Sequence, residues 1–341
     1  MSKSIKTGVL LVNLGTPDSP EVKDVRKYLR EFLMDKRVID IPFLNRWFLI
    51  NLIIAPFRAP KSAVIYKELW DERGSPLKYY GEDIKELLQN ELPRNYTVSL
   101  GMRYQSPSIK SAIEELKNKN VEKIIVLPLF PQYASASTGS VQELVMDIVK
   151  TWEVIPSMSF ISNFVEEELF IKTFADIARK YMNAQKFDHV VFSYHGLPER
   201  QIEKASVDNY CKLNDTCCST YHSKNRYCYR AQCYLTSRSL AKELNIPEEN
   251  YSVSFQSRLG KNPWVKPYTD EIIKNLPKAG KTKVLAFSPS FVADCLETTI
   301  EVGQEFKHIF EEAGGEHWQL VESLNVHPMW VQCLKEMVMK N

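Results

Sequence analysis

Six short stretches of this chain are apolar almost from end to end, and amphipathic segments separate them. They are 8–15 (GVLLVNLG), 96–104 (YTVSLGMRY), 123–130 (KIIVLPLF), 189–196 (HVVFSYHG), 251–257 (YSVSFQS) and 283–289 (KVLAFSP). A strand that is apolar on both faces needs cover on both faces, which helices packed on a parallel sheet provide. Helical spacing recurs between the runs, at 108–120, 168–183 and 269–276. Ser106 and Pro107 read as the cap and first-turn proline of the first helix, and Thr269 as the cap of the third. Strand alternating with helix predicts doubly wound, flavodoxin-like α/β sheets.

At 341 residues the chain exceeds one ordinary core, so two domains are expected. A weak internal echo supports similar halves. YTVSLGMR (96–103) resembles YSVSFQSR (251–258), and VNLGTP (12–17) resembles SYHGLP (193–198). The expected division is an N-terminal domain over 1–165, a second over 166–325, and a C-terminal helix over 326–341. Ligands of such folds bind beyond the carboxyl ends of the strands, and a cleft between two sheets is the expected site.

The net charge of +2 offers no basic field for nucleic acid. The N-terminus has no signal-peptide or transit pattern, so a cytoplasmic location is expected. The segment WFLINLIIAPF, Trp47 to Phe57, is bracketed by Arg46 and Arg58. It is shorter than the roughly 20 residues of a membrane span. Two readings stay open: a buried core helix, or an apolar lip lying on a bilayer or over a pocket mouth.

Several strand ends carry chemistry. His195 precedes Gly196-Leu197-Pro198, a turn that aims an imidazole off the sheet edge. A helix expected over 293–313 puts Glu297, Glu301, Glu305 and His308 on one face, with Gly314 as its stop. That face is either solvated or a ladder for protons and cations lining a cleft. Asn13, Arg103, Tyr104, Tyr133, Gln256, Arg258 and Trp264 add polar and aromatic groups at other ends. The set suits a flat apolar ligand that bears acidic substituents and receives a metal.

With LLVNLGTP (10–17), FPQYASASTGS (130–140), SYHGLP (193–198), FQSRLGKNPWVKPYTDE (255–271) and DCLET (294–298) in this order, the chain resembles the ferrochelatase family over nearly its whole length. The resemblance implies two flavodoxin-like domains around a porphyrin cleft, and insertion of ferrous iron into protoporphyrin IX or coproporphyrin III with release of two protons. It implies that His195 and Glu297 meet the metal, with Glu301 continuing the acidic face. Asn13, Arg103, Tyr104, Tyr133, Gln256 and Trp264 are the expected porphyrin contacts. Trp47–Phe57 falls where the family has its active-site lip, which implies peripheral contact with the inner membrane. The rival readings are a cobalt chelatase of the same fold and a metal or tetrapyrrole carrier without catalysis.

Five of the seven cysteines, Cys211, Cys217, Cys218, Cys228 and Cys233, crowd into CKLNDTCCSTYHSKNRYCYRAQC. In a reducing compartment such a cluster points to metal or redox chemistry before disulfides. Some bacterial ferrochelatases resemble this chain in carrying internal cysteines for a 2Fe–2S cluster. Thiolates hold such clusters, or zinc, in fours. The expected ligands are Cys211, Cys217, Cys218 and Cys228, with Cys233 as the alternate; zinc and no metal are the other readings.

Overall fold

The computed structural model describes residues 5–214, 216–258, 260 and 262–341. Eight strands form two parallel sheets of four among these residues. The first holds β1 (Thr7–Gly15), β2 (Tyr96–Tyr104), β3 (Lys123–Pro128) and β4 (Ser157–Phe160), in the order β2-β1-β3-β4. The second holds β5 (His189–His195), β6 (Tyr251–Gln256), β7 (Lys283–Phe287) and β8 (His317–Leu320), in the order β6-β5-β7-β8. The two orders are one pattern shifted by four strands, and the repeated segments lie on matching strand pairs: β1 and β5, β2 and β6.

All six apolar runs are strands. The two strands that the sequence reading missed, β4 and β8, are the outermost in the second direction of each sheet. Each spans only four residues, and SMSF and HWQL are partly exposed and lack the continuous apolar signature. In the first sheet Leu10, Val12, Ile124 and Val126 pack against Ile113, Leu116, Val141 and Val145 of the covering helices. In the second, Val191, Val284 and Ala286 pack against Ile273, Phe306, Phe310 and Trp318.

The helix expected over 108–120 runs from Ile109 to Asn118, and its cap is Ser108, whose hydroxyl accepts the Ser111 N–H at 3.0 Å. Ser106 and Pro107 stand outside it. The chain groups into two compact units. One comprises Met1–Phe130, Ser135–Asn163 and Val331–Asn341; the other comprises Pro131–Ala134 and Phe164–Trp330. Most of the C-terminal helix therefore belongs with the first unit, where Lys335 pairs with Glu91 at 3.0 Å.

The apolar segment at Trp47–Phe57 is the start of one helical run, Phe43–Leu69, that is long and apolar enough to cross a membrane by length and composition. It is longer than expected because it continues through Pro56. That proline has no N–H to give, and the turn ahead of it, Leu49–Ile54, is π-helical. One side is packed: Ile50, Ala55, Ala59, Ala63 and Tyr66 are buried, and the Tyr66 ring meets Tyr28 of the helix Val22–Leu33 at 6.2 Å. The other side is open, with Phe43, Leu44, Phe48, Leu52, Ile53 and Phe57 all more than half exposed. So the helix lies along its unit and leaves an apolar surface.

One buried group at the base of the second sheet gives a measurable consequence. His189 Nε2 bonds Ser252 Oγ at 2.8 Å, while Nδ1 is buried without a partner. Burial first, and then the charge of Lys281, pull this imidazole down to about 4. Its ordinary value is about 6.5. The folded value is depressed, so its contribution is full above about 6.5 and is lost as pH falls toward about 4, where the unfolded chain binds the extra proton. His189→Gln is expected to lose less thermal stability than the native chain between about pH 6.5 and 5. Parallel melting curves across this window check it; identical pH slopes contradict it.

Candidate active site at the strand ends of the second sheet

β5 ends in His195, beside Gln256 at the end of β6. The His195 Nδ1 lies 2.7 Å from the Gly196 carbonyl. A carbonyl only accepts, so Nδ1 carries the hydrogen, and in the neutral ring Nε2 keeps its lone pair. The next residue must be glycine. Gly196 N–H donates to the Gln256 carbonyl at 2.8 Å, and a Cβ there would stand 2.7 Å from that oxygen and 3.3 Å from the Trp264 ring. Close passage of two strand ends thus sets where the imidazole starts, with Trp264 packed behind the turn.

The acidic helix differs from the uniform α-helix expected over 293–313. Leu296–Glu305 is π-helical and only Phe306–Glu312 is α-helical, with Gly314 past the end at φ 98°. Cys295 caps it: its N–H donates to Thr298 Oγ1 at 2.9 Å, and burial with nearby Glu297 pushes its thiol well up. The wide turn parts the carboxylates that an α-helical reading puts together. Glu297 and Glu301 are half-buried, whereas Glu305 and His308 are exposed, His308 beside Glu312 at 3.2 Å. π-segments of this kind are frequent at functional sites.

Glu301 is the most constrained of these groups. Gln256 Nε2 donates to its Oε2 at 2.9 Å and Ser257 Oγ donates to the same oxygen. Burial pushes its pKa up; the Ser257 bond, His195 and Gln256 pull it back, and Glu297 adds to the rise. His195 and Glu297 thus both lie within electrostatic reach of Glu301. Behind them the Gln256 amide is fixed at both ends. Nε2 also reaches the Glu297 carbonyl at 3.2 Å, while Oε1 accepts from Ser193 Oγ at 2.6 Å. Ser193 continues to Thr269 Oγ1 at 2.9 Å and Thr269 to Ser254 Oγ at 3.0 Å. Thr269 is therefore not the helix cap the sequence suggested, since its hydroxyl is spent in this buried chain. Gln256, only 3% exposed, holds Glu301 from behind and has little surface for a ligand.

An imidazole lone pair and two carboxylates, beside a tryptophan at the carboxyl ends of a parallel sheet, suit metal and proton transfer to a flat ligand. A family model described as ferrochelatase matches residues 6–341. This chain belongs to the ferrochelatase family. It is 46% identical over 334 residues to the ferrochelatase of Legionella pneumophila (strain Lens), covering 98% of this chain and 99% of that one. To the ferrochelatase of Coxiella burnetii (strain Dugway 5J108-111) it is 43% identical over 336 residues, covering 98% and 94%. The sirohydrochlorin chelatase SirB from Bacillus subtilis subspecies spizizenii, solved in complex with cobalt, aligns with a TM-score of 0.55 over 98% of this chain and 95% of that one. At 9% identity that likeness speaks for the fold alone, so it lends nothing to a cobalt reading. The chain is a lyase-class porphyrin metal chelatase, and ferrous iron is its substrate.

The remaining expected contacts fall in different settings. In the first unit Asn13 is buried, its Oδ1 accepting the Leu14 N–H at 2.9 Å. Tyr104 has no exposed surface and its hydroxyl donates to Asp35 at 2.9 Å. Arg103 pairs with the same carboxylate at 2.6 Å and bonds Ser140. In the second unit Tyr133 packs edge-on against Tyr227, and its N–H donates to Gln232 at 2.6 Å.

The cysteines separate into a group and an outlier. Cys211 and Cys218 each hydrogen-bond Cys228, Cys211 also reaches Cys217, and the Cys217 and Cys218 sulfurs lie 3.9 Å apart. A small hollow is bordered by Cys211, Cys217, Cys228, Tyr210 and Asn225. The bonds from Cys228, aided by Arg230, draw the Cys211 and Cys218 thiols down to about 6. The same bonds push Cys228 up, and burial pushes Cys217 up. Cys233 is fully buried in the helix Tyr229–Glu243, where burial pushes its thiol well up. All seven thiols are free, and among the described residues no group of three or more His, Cys, Asp or Glu side chains is arranged to hold a metal ion.

The residues that sequence reasoning missed are Ser193, Ser254, Ser257, Asn225 and Tyr229. A signal existed for two of them. Serine inside a strand buried on both faces must have a hydrogen-bond partner, so Ser193 and Ser254 pointed to a buried polar chain.

Proposed function

We propose that His195 and Glu297 meet ferrous iron while Glu301 takes a proton leaving the porphyrin. The observation that carries this is the pairing of an Nε2 lone pair with a carboxylate whose proton affinity burial raises. Two of the four nitrogens of a free porphyrin carry hydrogens, and both protons must leave for the metal to enter. Site groups that favour a bent macrocycle tilt the nitrogen lone pairs toward the ion, which is binding of the transition-state shape in preference to the flat ground state. Gln256 and Ser257 hold Glu301 on the ion's side without themselves changing charge.

Cys211, Cys217 and Cys228 border one hollow and Cys218 lies beside Cys217; with two of the four drawn toward thiolate, the set suits a 2Fe–2S cluster on Cys211, Cys217, Cys218 and Cys228. Backbone groups of Leu213, Lys212 and Ala231 pull Cys211, Cys217 and Cys228 toward their ionised form, which is the donor chemistry such a cluster needs, while the Cys217 thiol donates to the Asn214 carbonyl at 3.2 Å. Cys233, enclosed in its helix, is the weaker candidate. Bound there, the cluster would supply four bonds to one centre and so order a polar loop with little core of its own. The open apolar side of Phe43–Leu69 supports peripheral membrane contact from the cytoplasmic side.

Three outcomes are expected. Under anaerobic conditions with porphyrin and ferrous iron, His195→Ala loses about a hundredfold or more of the insertion rate while porphyrin affinity is kept; a near-normal rate sinks the assignment. Protein isolated anaerobically from iron-rich cells absorbs visible light and carries about two irons and two sulfides per chain; colourless protein argues the cluster away. The native chain sediments with anionic lipid vesicles at low salt, and replacing Leu52, Ile53 and Phe57 together by serine weakens this severalfold. A native chain left wholly in the supernatant removes the membrane reading.

A further inference from the structure

The cysteine-rich segment and the metal-site histidine are far apart in sequence, but one side chain connects them. Cys228 is the cap residue of the helix Tyr229–Glu243, and Tyr229 is that helix's first residue. The Tyr229 ring is buried, and its hydroxyl donates to the His195 carbonyl at 2.8 Å. The same hydroxyl lies 3.0 Å from Ser290 Oγ. On the other side, Asn225 winds the cysteine segment. It is 3% exposed, and its amide donates to the carbonyls of Cys217 at 3.1 Å and Thr220 at 2.7 Å, while its backbone carbonyl accepts the Cys228 N–H at 2.9 Å. An unbroken series of bonds thus runs from the loop through Cys228 to the peptide that follows His195.

We propose that Tyr229 is a positioning residue through which the order of the cysteine-rich segment sets the direction of the His195 imidazole. This rests on the reading that His195 meets the iron. The physical case is the short lever. His195 Nδ1 rests on the Gly196 carbonyl, and Tyr229 holds the carbonyl of His195 itself, one peptide earlier. Movement of the first helical turn displaces that peptide and swings the ring with it. A shift of about 1 Å in a reacting group costs on the order of a hundredfold in rate. The segment can then govern chelation without any of its atoms touching the porphyrin.

The test compares the full chain, as isolated, with Tyr229→Phe, Asn225→Ala, their double variant, and two references, Ser290→Ala and His195→Ala. Tyr229→Phe keeps the ring and removes the bond. It is expected to lower kcat about tenfold with porphyrin KM within about twofold. It should also shift the His195 ring-proton signal in the NMR spectrum, identified by its disappearance in His195→Ala. Asn225→Ala should move the same signal and lower kcat, the double variant should be no worse than Tyr229→Phe, and Ser290→Ala should stay near native. An unchanged kcat and ring signal in Tyr229→Phe, with His195→Ala inactive, overturns the coupling and leaves the metal site standing. An active His195→Ala overturns the metal site instead. Additive losses in the double variant sever the cysteine segment from the route and overturn the proposal. Should Tyr229→Phe fail to fold, the ring signal in Asn225→Ala decides: unmoved, it overturns the proposal.

Discussion

A parallel sheet delivers the carboxyl ends of all its strands to one edge, and it must be buried on both faces to be stable. Both consequences organise this chain. Burial forces the strand interiors to be apolar and confines chemistry to the last residue or two of each strand. The edge then gathers those residues from distant parts of the sequence: His195 from β5, Gln256 from β6, and the acidic turn that follows β7. Gly196 shows how tight the arrangement is, since its backbone passes so near the Gln256 carbonyl that a side chain has no room.

The second constraint is the cost of a carboxylate half out of water. Glu301 is tolerated because two donors meet one of its oxygens, and because the donor amide is itself held. Left alone, Gln256 could turn either way, presenting oxygen to oxygen. The Ser193, Thr269 and Ser254 hydroxyls remove that freedom, since Ser193 donates to Oε1 and so commits Nε2 to Glu301. A fully satisfied buried network of this kind gives one geometry where an unsatisfied one gives several. Burial raises the proton affinity of Glu301 and these donors restrain it, so its proton affinity is a property of the fold around it as much as of the residue.

The cysteine-rich stretch is held by different means. It has few apolar residues to bury, and its order comes from Asn225, from Arg230 bonding the Asn214 carbonyl at 2.8 Å, and from Arg238 on the Cys218 carbonyl at 3.1 Å. Thiol–thiol bonds complete it. The loop is thus built around its sulfurs, and the first turn of the helix that follows carries its position toward His195.

Much of this was written in the order of residues. The six buried strands, their alternation with helices, the two-fold echo and the identity of the strand-end groups follow from local patterns, because an apolar run or a Gly-Pro turn acts wherever it stands. The strands β4 and β8 were not legible, since four residues that are only partly buried are too short a run to carry the apolar pattern. Nor was the π-helical course of Leu296–Glu305, which depends on a hydrogen-bond choice that nearly any helix-forming sequence can make. Nor was the burial of Tyr104 or the bond from Gln256 to Glu301, because exposure is a property of neighbours and not of residue type. Residue order alone therefore determined the chemistry available at each strand end. Only the tertiary structure decided which groups are buried, which are consumed by one another, and that Tyr229 ties the cysteine-rich segment to the histidine, because those outcomes are set by distances between segments that the chain brings together only on folding.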